Sequence, residues 1–318
     1  MALLTEVKRI VNNATSKHGT GVSVSAAPGE DRVAVRARNI EFDISDSPLH
    51  WIPGDPIASH GASIFNFFLP VGERWFCAVY ERALPFVNDD KVREDMLGFI
   101  GQEATHAQTH DHILHYWFDQ HGITYAKGFV TLTEWAEQKI YPLFDKLSGN
   151  ALLWVLKPQI CAIAIIEHLT AYYGDFILNC HEWDRRGADP VIRDLYRWHG
   201  AEEIEHRFVA YDVAEYFGIK RYQKNIAAIL AAILYEPILL FAMRALVKHD
   251  PALPKMGYLR LIREWRGAAR RGTLPPFGTM LRQLPHLLSK SYSPARVGNT
   301  AQAVAYLAQS PAARAFAA

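Results

Sequence analysis

Two stretches of the chain share one spelling. Glu103-Ala104-Thr105-His106 and Glu203-Ile204-Glu205-His206 are both Glu-x-x-His. Residues three apart on a helix share a face, so each pair aims a carboxylate and an imidazole at one point. A lone glutamate precedes each pair: Glu73 lies 30 residues before Glu103, and Glu167 lies 36 residues before Glu203. Four glutamates and two histidines in this order can form the carboxylate-bridged di-metal site of a four-helix bundle. The oxygen-rich set suits two divalent ions, iron first, with manganese or zinc as alternatives. Without metal, four ionised glutamates would repel one another, so metal binding should couple to folding. One Glu-x-x-His alone carries little weight, because helices are rich in Glu; the doubling, with matched upstream glutamates, gives the pattern its force.

Other residues fall on the same faces. His110 lies seven residues after Glu103 and His199 seven before His206, about two helical turns in each case. Each is a candidate acid/base group or third imidazole ligand, with a hydrogen-bonded core histidine as the plain alternative. Tyr80, two turns past Glu73, is a candidate pocket residue on the same count, with ordinary core as its alternative. Ile160 and Gly174 share the face of Glu167 and offer no polar partner. Gln159, Asp175 and Asp212 are weaker candidates. Glu202 could reach the same point as His206, but Glu203 repeats the i+3 relation of the other pair. Glu205 points elsewhere and reads as a surface or helix-pairing charge.

Helices must position these groups. The apolar runs and turn signals predict a first helix over 58–85, kinked at Pro70 and Gly72, and a second over 90–121 that ends near Gly122. A connecting helix is expected over 129–147. A third bundle helix follows over 150–183, with Pro158 as a kink or its true start. Asp189-Pro190 opens a fourth over 190–217, which stops at Gly218. Before the helices, residues 32–44 alternate polar and apolar, which predicts one or two short strands. The stretch 48–56 holds three prolines and a glycine and reads as a rigid loop. The expected organisation is all-α: an N-terminal extension with short strands over 1–45, a di-metal four-helix bundle over 46–220, and a helical region over 221–318 packed on it. The alanine-rich tail from Ala301 to Ala318 is expected to fray.

The chain resembles the ferritin-like di-iron carboxylate superfamily. Within it, PLHWIPGDP (48–56), GERWF (72–76), FIGQEATHAQTH (99–110) and RWHGAEEIEHRFVAYDV (197–213) resemble a bacterial family described as predicted metal-dependent hydrolases. The resemblance covers about residues 40–250 and implies metal ligands at Glu73, Glu103, His106, Glu167, Glu203 and His206. Many relatives in the wider superfamily activate dioxygen, and fold-level analogy does not fix the reaction.

Three functions compete. The first expectation is a di-iron oxidoreductase that activates O2 as co-substrate to oxidise a hydrophobic or aromatic small molecule, served by an electron-donor protein. The second is a metal-dependent hydrolase using a metal-bound hydroxide, with His110 or His199 as base. The third is a non-catalytic iron-binding protein.

Composition narrows the partners. Half of the 318 residues are hydrophobic and the net charge is +1, with no basic stripe, so nucleic acid is not an expected partner. Three cysteines without a CxxC pair read as reduced thiols of a cytoplasmic protein. Residues 226–243 form an apolar segment split by Glu236 and Pro237. A buried helix is the expectation there, and peripheral membrane contact is the alternative. A homodimer is a further candidate assembly.

Overall fold

Acidic caps or first-turn prolines set where several of the helices begin. In the computed structural model, which describes residues 32–123, 135 and 138–315, helix α1 spans Pro56–Ser63 behind an Asp55 cap. A short 3₁₀ turn, Ile64–Phe67, separates it from α2, Leu69–Ala83. The helix expected over 58–85 is thus broken, not kinked. Pro70 sits in the first turn of α2, where its missing N–H leaves no helical bond unmade. Helix α3 spans Asp90–His112, capped by the Asp89 carboxylate on the Val92 amide at 2.9 Å. It continues through one π-helical turn, Ile113–Trp117. Helix α4, Gly149–Leu178, takes Pro158 into its interior. Helix α5, Pro190–Tyr216, is capped by Asp189 on the amides of Val191 and Ile192, and Gly218 follows it at φ +69°. The connecting helix expected over 129–147 falls partly outside the described residues; within them one short helix, Tyr141–Phe144, is seen.

Helices α2 and α3 pack as one pair, α4 and α5 as the closest pair, and the two pairs face each other. Gly174 and Gly200 make the second pair close. A Cβ on Gly200 would lie 2.8 Å from the Gly174 Cα, so a side chain at either would push the helices apart. The C-terminal region adds α6 (Arg221–His249), α7 (Tyr258–Arg271), α8 (Thr279–Leu287), α9 (Thr300–Leu307) and α10 (Pro311–Ala315). The first of these lies along α4, while α9 and α10 pack on α5.

Two expectations about the ends are corrected. Among the described residues no strand forms over 32–44. The segment is extended and its alternation is real, with Val35 and Phe42 buried between exposed neighbours and Ile44 buried after exposed Asp43. It lies as a strap across α3, where Gly98 and Gly101 leave no Cβ in its way: one on Gly101 would sit 2.7 Å from the Ala37 methyl. The tail over 301–315 does not fray, because buried Asp194 of α5 holds it. That carboxylate accepts from the Tyr306 hydroxyl (2.6 Å), the Ser310 hydroxyl (3.1 Å) and the Ala312 amide (3.1 Å).

Candidate metal centre

Each bundle helix sends at least one of the singled-out residues into the space between the pairs. Glu73 comes from α2, Glu103 and His106 from α3, Glu167 from α4, and Glu203 and His206 from α5. All six are at most 2% exposed. His199 of α5 joins them. Ligand-capable atoms converge in two groups, one of Glu73, His106 and His199, the other of Glu103, Glu167, Glu203 and His206. The Glu203 carboxylate faces both. Its Oε1 lies 2.9 Å from His199 Nε2 and 3.5 Å from His106 Nδ1, and its Oε2 lies 3.1 Å from His206 Nε2. His206 Nε2 is also 3.3 Å from Glu103 Oε1 and 3.2 Å from Glu167 Oε2. Adjacent ligand atoms around an ion with bonds near 2.1 Å are themselves about 3 Å apart, so these contacts already have the scale of a coordination shell.

The donor chemistry fits metal ions. Both carboxylate oxygens of Glu73, Glu103 and Glu167, and Nδ1 of His106 and His206, are buried without a hydrogen-bond partner. Orphaned carboxylate oxygens in a dry interior are costly unless a cation or proton joins them. Burial, reinforced by Glu203 and Glu167, raises the Glu73 carboxyl well above its usual range; burial and the same kind of crowding do so for Glu103. Burial, then Glu203, pushes Glu167 to about 7. Burial would also raise Glu203, but His206 and His199 outweigh it and hold this carboxyl low.

Hydrogen bonds fix which way two of the imidazoles face. Asn66 Nδ2 donates to the Ser63 carbonyl at 2.9 Å and to the Tyr196 hydroxyl at 2.8 Å, so its Oδ1 must face His110 Nδ1 at 2.7 Å. His110 therefore donates from Nδ1. Its neutral form accepts at Nε2 from His199 Nδ1, 2.7 Å away. That aims Nε2 of His199 at the Glu203 and Glu73 carboxylates, a contact that takes either a proton on Nε2 or a metal ion between them. His106 is set the same way from the other side. Its Nε2 donates to Glu202 Oε2 at 2.8 Å, which turns Nδ1 into the site. Glu202 is in turn held by Arg38 at 2.6 Å, and Arg38 also pairs with Glu205 at 2.7 and 2.9 Å. A carboxylate behind a histidine orients the ring and raises its basicity as a ligand.

Several expectations change. Glu205 is not a surface charge: it is 4% exposed and bound by Arg38 and by Gln102. Glu202 stands behind His106, not beside Glu203. Gln159 accepts from Trp75 Nε1, and Asp212 pairs with Arg32. His110 has both nitrogens engaged, and burial, then His199, hold it well below the usual imidazole range. A free base it is not. Tyr80 is fully buried beside Phe99, its hydroxyl unpartnered and its acidity suppressed by burial and by Glu167 and Glu103. Sequence reasoning missed Arg38 entirely; a lone arginine 164 residues from its partner Glu202 gives no local signal.

A third group, His50, His60 and Asp250, lies apart from these two. Both imidazoles meet Asp250 Oδ2 at 2.6 Å, which ties the proline-rich loop and α1 to the end of α6. A groove of about 350 Å³ runs between the strap and α3, past Phe42, Thr105 and Thr109. Its lining includes none of the clustered glutamates.

The chain belongs to the family described as predicted metal-dependent hydrolase, whose model matches residues 36–298. No curated protein and no solved structure matches it.

Proposed function

We propose that this member of the predicted metal-dependent hydrolase family is an enzyme whose bundle holds two divalent ions. One would sit on Glu73, His106 and His199, the other on Glu103, Glu167 and His206, with Glu203 facing both. The observation that carries this reading is the set of buried, unpartnered carboxylate oxygens of Glu73, Glu103 and Glu167, converging with imidazole nitrogens from four helices in all. His199 is then a third imidazole ligand, beyond the six that the Glu-x-x-His pattern supplies. When bound, such ions supply Lewis-acid polarisation and acidify a coordinated water.

The chain's own groups divide the remaining work. Asn66 and His110 hold His199 in one tautomer. Arg38 and Glu202 hold His106. Tyr80, kept protonated by burial, offers a hydrogen-bond donor at the acidic wall. Hydrolysis is the reaction that the family description supports, acting on an ester, amide or phosphoester bond. Activation of O2 is the second reading, and it rests on the donor set: four carboxylates favour iron or manganese over zinc. The two antiparallel helix pairs, joined by the long connection over 121–148, fit a ferritin-like bundle, which accords with that reading.

One experiment separates them. The protein is purified from cells supplied with iron, manganese or zinc, its metals are counted, and activity on chromogenic esters and phosphoesters is measured with and without oxygen. Two metal equivalents and oxygen-independent turnover support the hydrolase. An iron-loaded form without hydrolysis, whose spectrum changes on oxygen addition, supports the oxidoreductase. Failure to bind any of the three metals overturns the proposed centre.

A further inference from the structure

We propose that α6 seats this protein on an anionic bilayer surface, with the helix lying along the membrane and not crossing it. The helix has two unlike faces. Ala228, Ala232, Leu239, Met243 and Leu246 are buried against the body of the protein. The opposite face carries Ile226, Leu230, Ile233, Leu234 and Phe241, each 53–61% exposed, with Tyr222, Ile229 and Ile238 completing the stripe. Scattered exposed apolar residues are ordinary, but a continuous stripe roughly 28 Å long marks an interaction surface. By length and composition α6 could span a membrane, yet its packed face holds it to the bundle.

Charge selects the occupant. Between residues 225 and 243 the one ionisable carboxylate or amine is Glu236, and it is turned inward. Exposed Lys220 and Arg221 stand at one end of the stripe and exposed Arg244 and Lys248 at the other, while Lys224 is paired with Glu215. Helix α7 continues the second end: the Arg244 guanidinium lies 5.0 Å from the Tyr258 ring centre, and the next residue, Leu259, is 86% exposed. Residues 221–270 hold nine Lys/Arg against three Asp/Glu, two of them buried, although the whole chain is nearly neutral at +1. At the Arg221 end a pocket of about 280 Å³ is lined by Lys220, Arg221 and Lys290 together with the Lys224–Glu215 pair. A second copy is the poorer occupant. Both ends of the stripe are basic, so parallel and antiparallel pairing alike would set cation against cation. An apolar band between cationic ends matches acyl chains flanked by anionic headgroups.

Vesicle co-sedimentation tests this directly, independently of the reaction catalysed. The full chain is expected to pellet with phosphatidylcholine vesicles containing phosphatidylglycerol, to pellet poorly with phosphatidylcholine alone, and to be released as salt rises. The double substitution Leu230→Ser with Ile233→Ser should weaken binding by roughly tenfold or more. Arg244→Glu with Lys248→Glu should weaken it roughly fivefold or more per charge. These side chains are exposed, so unchanged circular dichroism will separate lost binding from lost fold. Absence of vesicle binding overturns the proposal, as does binding indifferent to the stripe. So does a dimer, seen by light scattering, that the Leu230/Ile233 variant dissolves.

Discussion

His110 Nε2 lies 2.7 Å from His199 Nδ1, and this contact decides which nitrogen His199 turns toward the carboxylates. Because Asn66 anchors the far side of His110, the imidazole pair is a positioning device and not a proton store. His110→Phe keeps the ring volume but removes the acceptor for His199 Nδ1. The affinity for one of the two metal equivalents should then fall roughly 10- to 100-fold. Competition against a chromophoric chelator measures it, and unchanged affinity for both equivalents would refute the role.

Arg38 links the N-terminal strap to the site. Its guanidinium is the cation that pairs the buried Glu202 and Glu205, and these carboxylates are at most 4% exposed. Arg38→Met leaves both charges in the interior without their partner. A loss of about 3–5 kcal/mol in unfolding free energy is expected. Urea titration should show the midpoint lowered at constant slope. The intact protein should also bind metal more weakly, since Glu202 no longer has a fixed position behind His106.

The residues proposed as ligands were legible because the helix period brings i and i+3 together, and Glu and His are the right donor types. The proposed third imidazole was reachable too, since His199 lies about two turns from His206. What could not be read were contacts between distant segments. Arg38 meets Glu202 across 164 residues and His50 meets Asp250 across 200, and neither leaves a local signature. Alternation over 32–44 correctly marked an extended chain with one buried side. It could not reveal that the neighbour is a glycine-notched helix and not another strand. The apolar composition of α6 was equally plain, but composition does not say that only one face would find a partner.

Removing metal should cost stability, and neutralising one carboxylate should reverse the sign. With metal in hundredfold excess over its dissociation constant, the bound form gains about 2.7 kcal/mol per site, so chelation should lower the melting temperature. Glu167→Gln removes one of four crowded carboxylates while preserving size and an acceptor for His206. It should raise the melting temperature of the metal-free protein and abolish most of the rise on adding metal. Calorimetry with and without chelator checks both halves. A variant that still gains the full metal increment would exclude Glu167 from the ligand set.

Two glycines on neighbouring helices should respond oppositely to alanine. Alanine in place of a helical glycine ordinarily stabilises by about 0.5–1 kcal/mol. At Gly72 of α2 an added Cβ meets nothing within 4 Å, so Gly72→Ala should show that gain. At Gly98 the added methyl would collide with the Val35 carbonyl, a backbone atom that cannot swing aside. Gly98→Ala should therefore destabilise by about 1–3 kcal/mol. It should also open residues 32–45 to proteolysis. Equal effects at the two positions would mean that the strap does not lie on α3.

The knot of His50, His60 and Asp250 should make the fold acid-sensitive. Burial holds the His60 imidazole below its ordinary value, although Asp250 works the other way. The two imidazoles, against the opposing effect of burial, hold the Asp250 carboxyl well below the usual carboxylate range. For His60 the unfolded chain takes up its proton first. Stability is therefore lost as pH falls below the ordinary imidazole value of about 6.5. For Asp250 the contribution is present above its unfolded value, about 3.9, and is lost as pH falls from there toward the lower folded value. Both signs agree: stability declines with acid in two stages. Asp250→Asn removes the charge that both imidazoles contact and turns an NH2 toward the Ala252 amide, which now donates to Asp250 Oδ1, so it should lower the melting temperature at pH 8. It should also flatten the decline below about pH 4, because the titrating carboxyl is gone. Melting curves of the chelated protein across this range, wild type against variant, isolate the knot from the metal centre. An acid limb of unchanged steepness in the variant would show that Asp250 does not carry it.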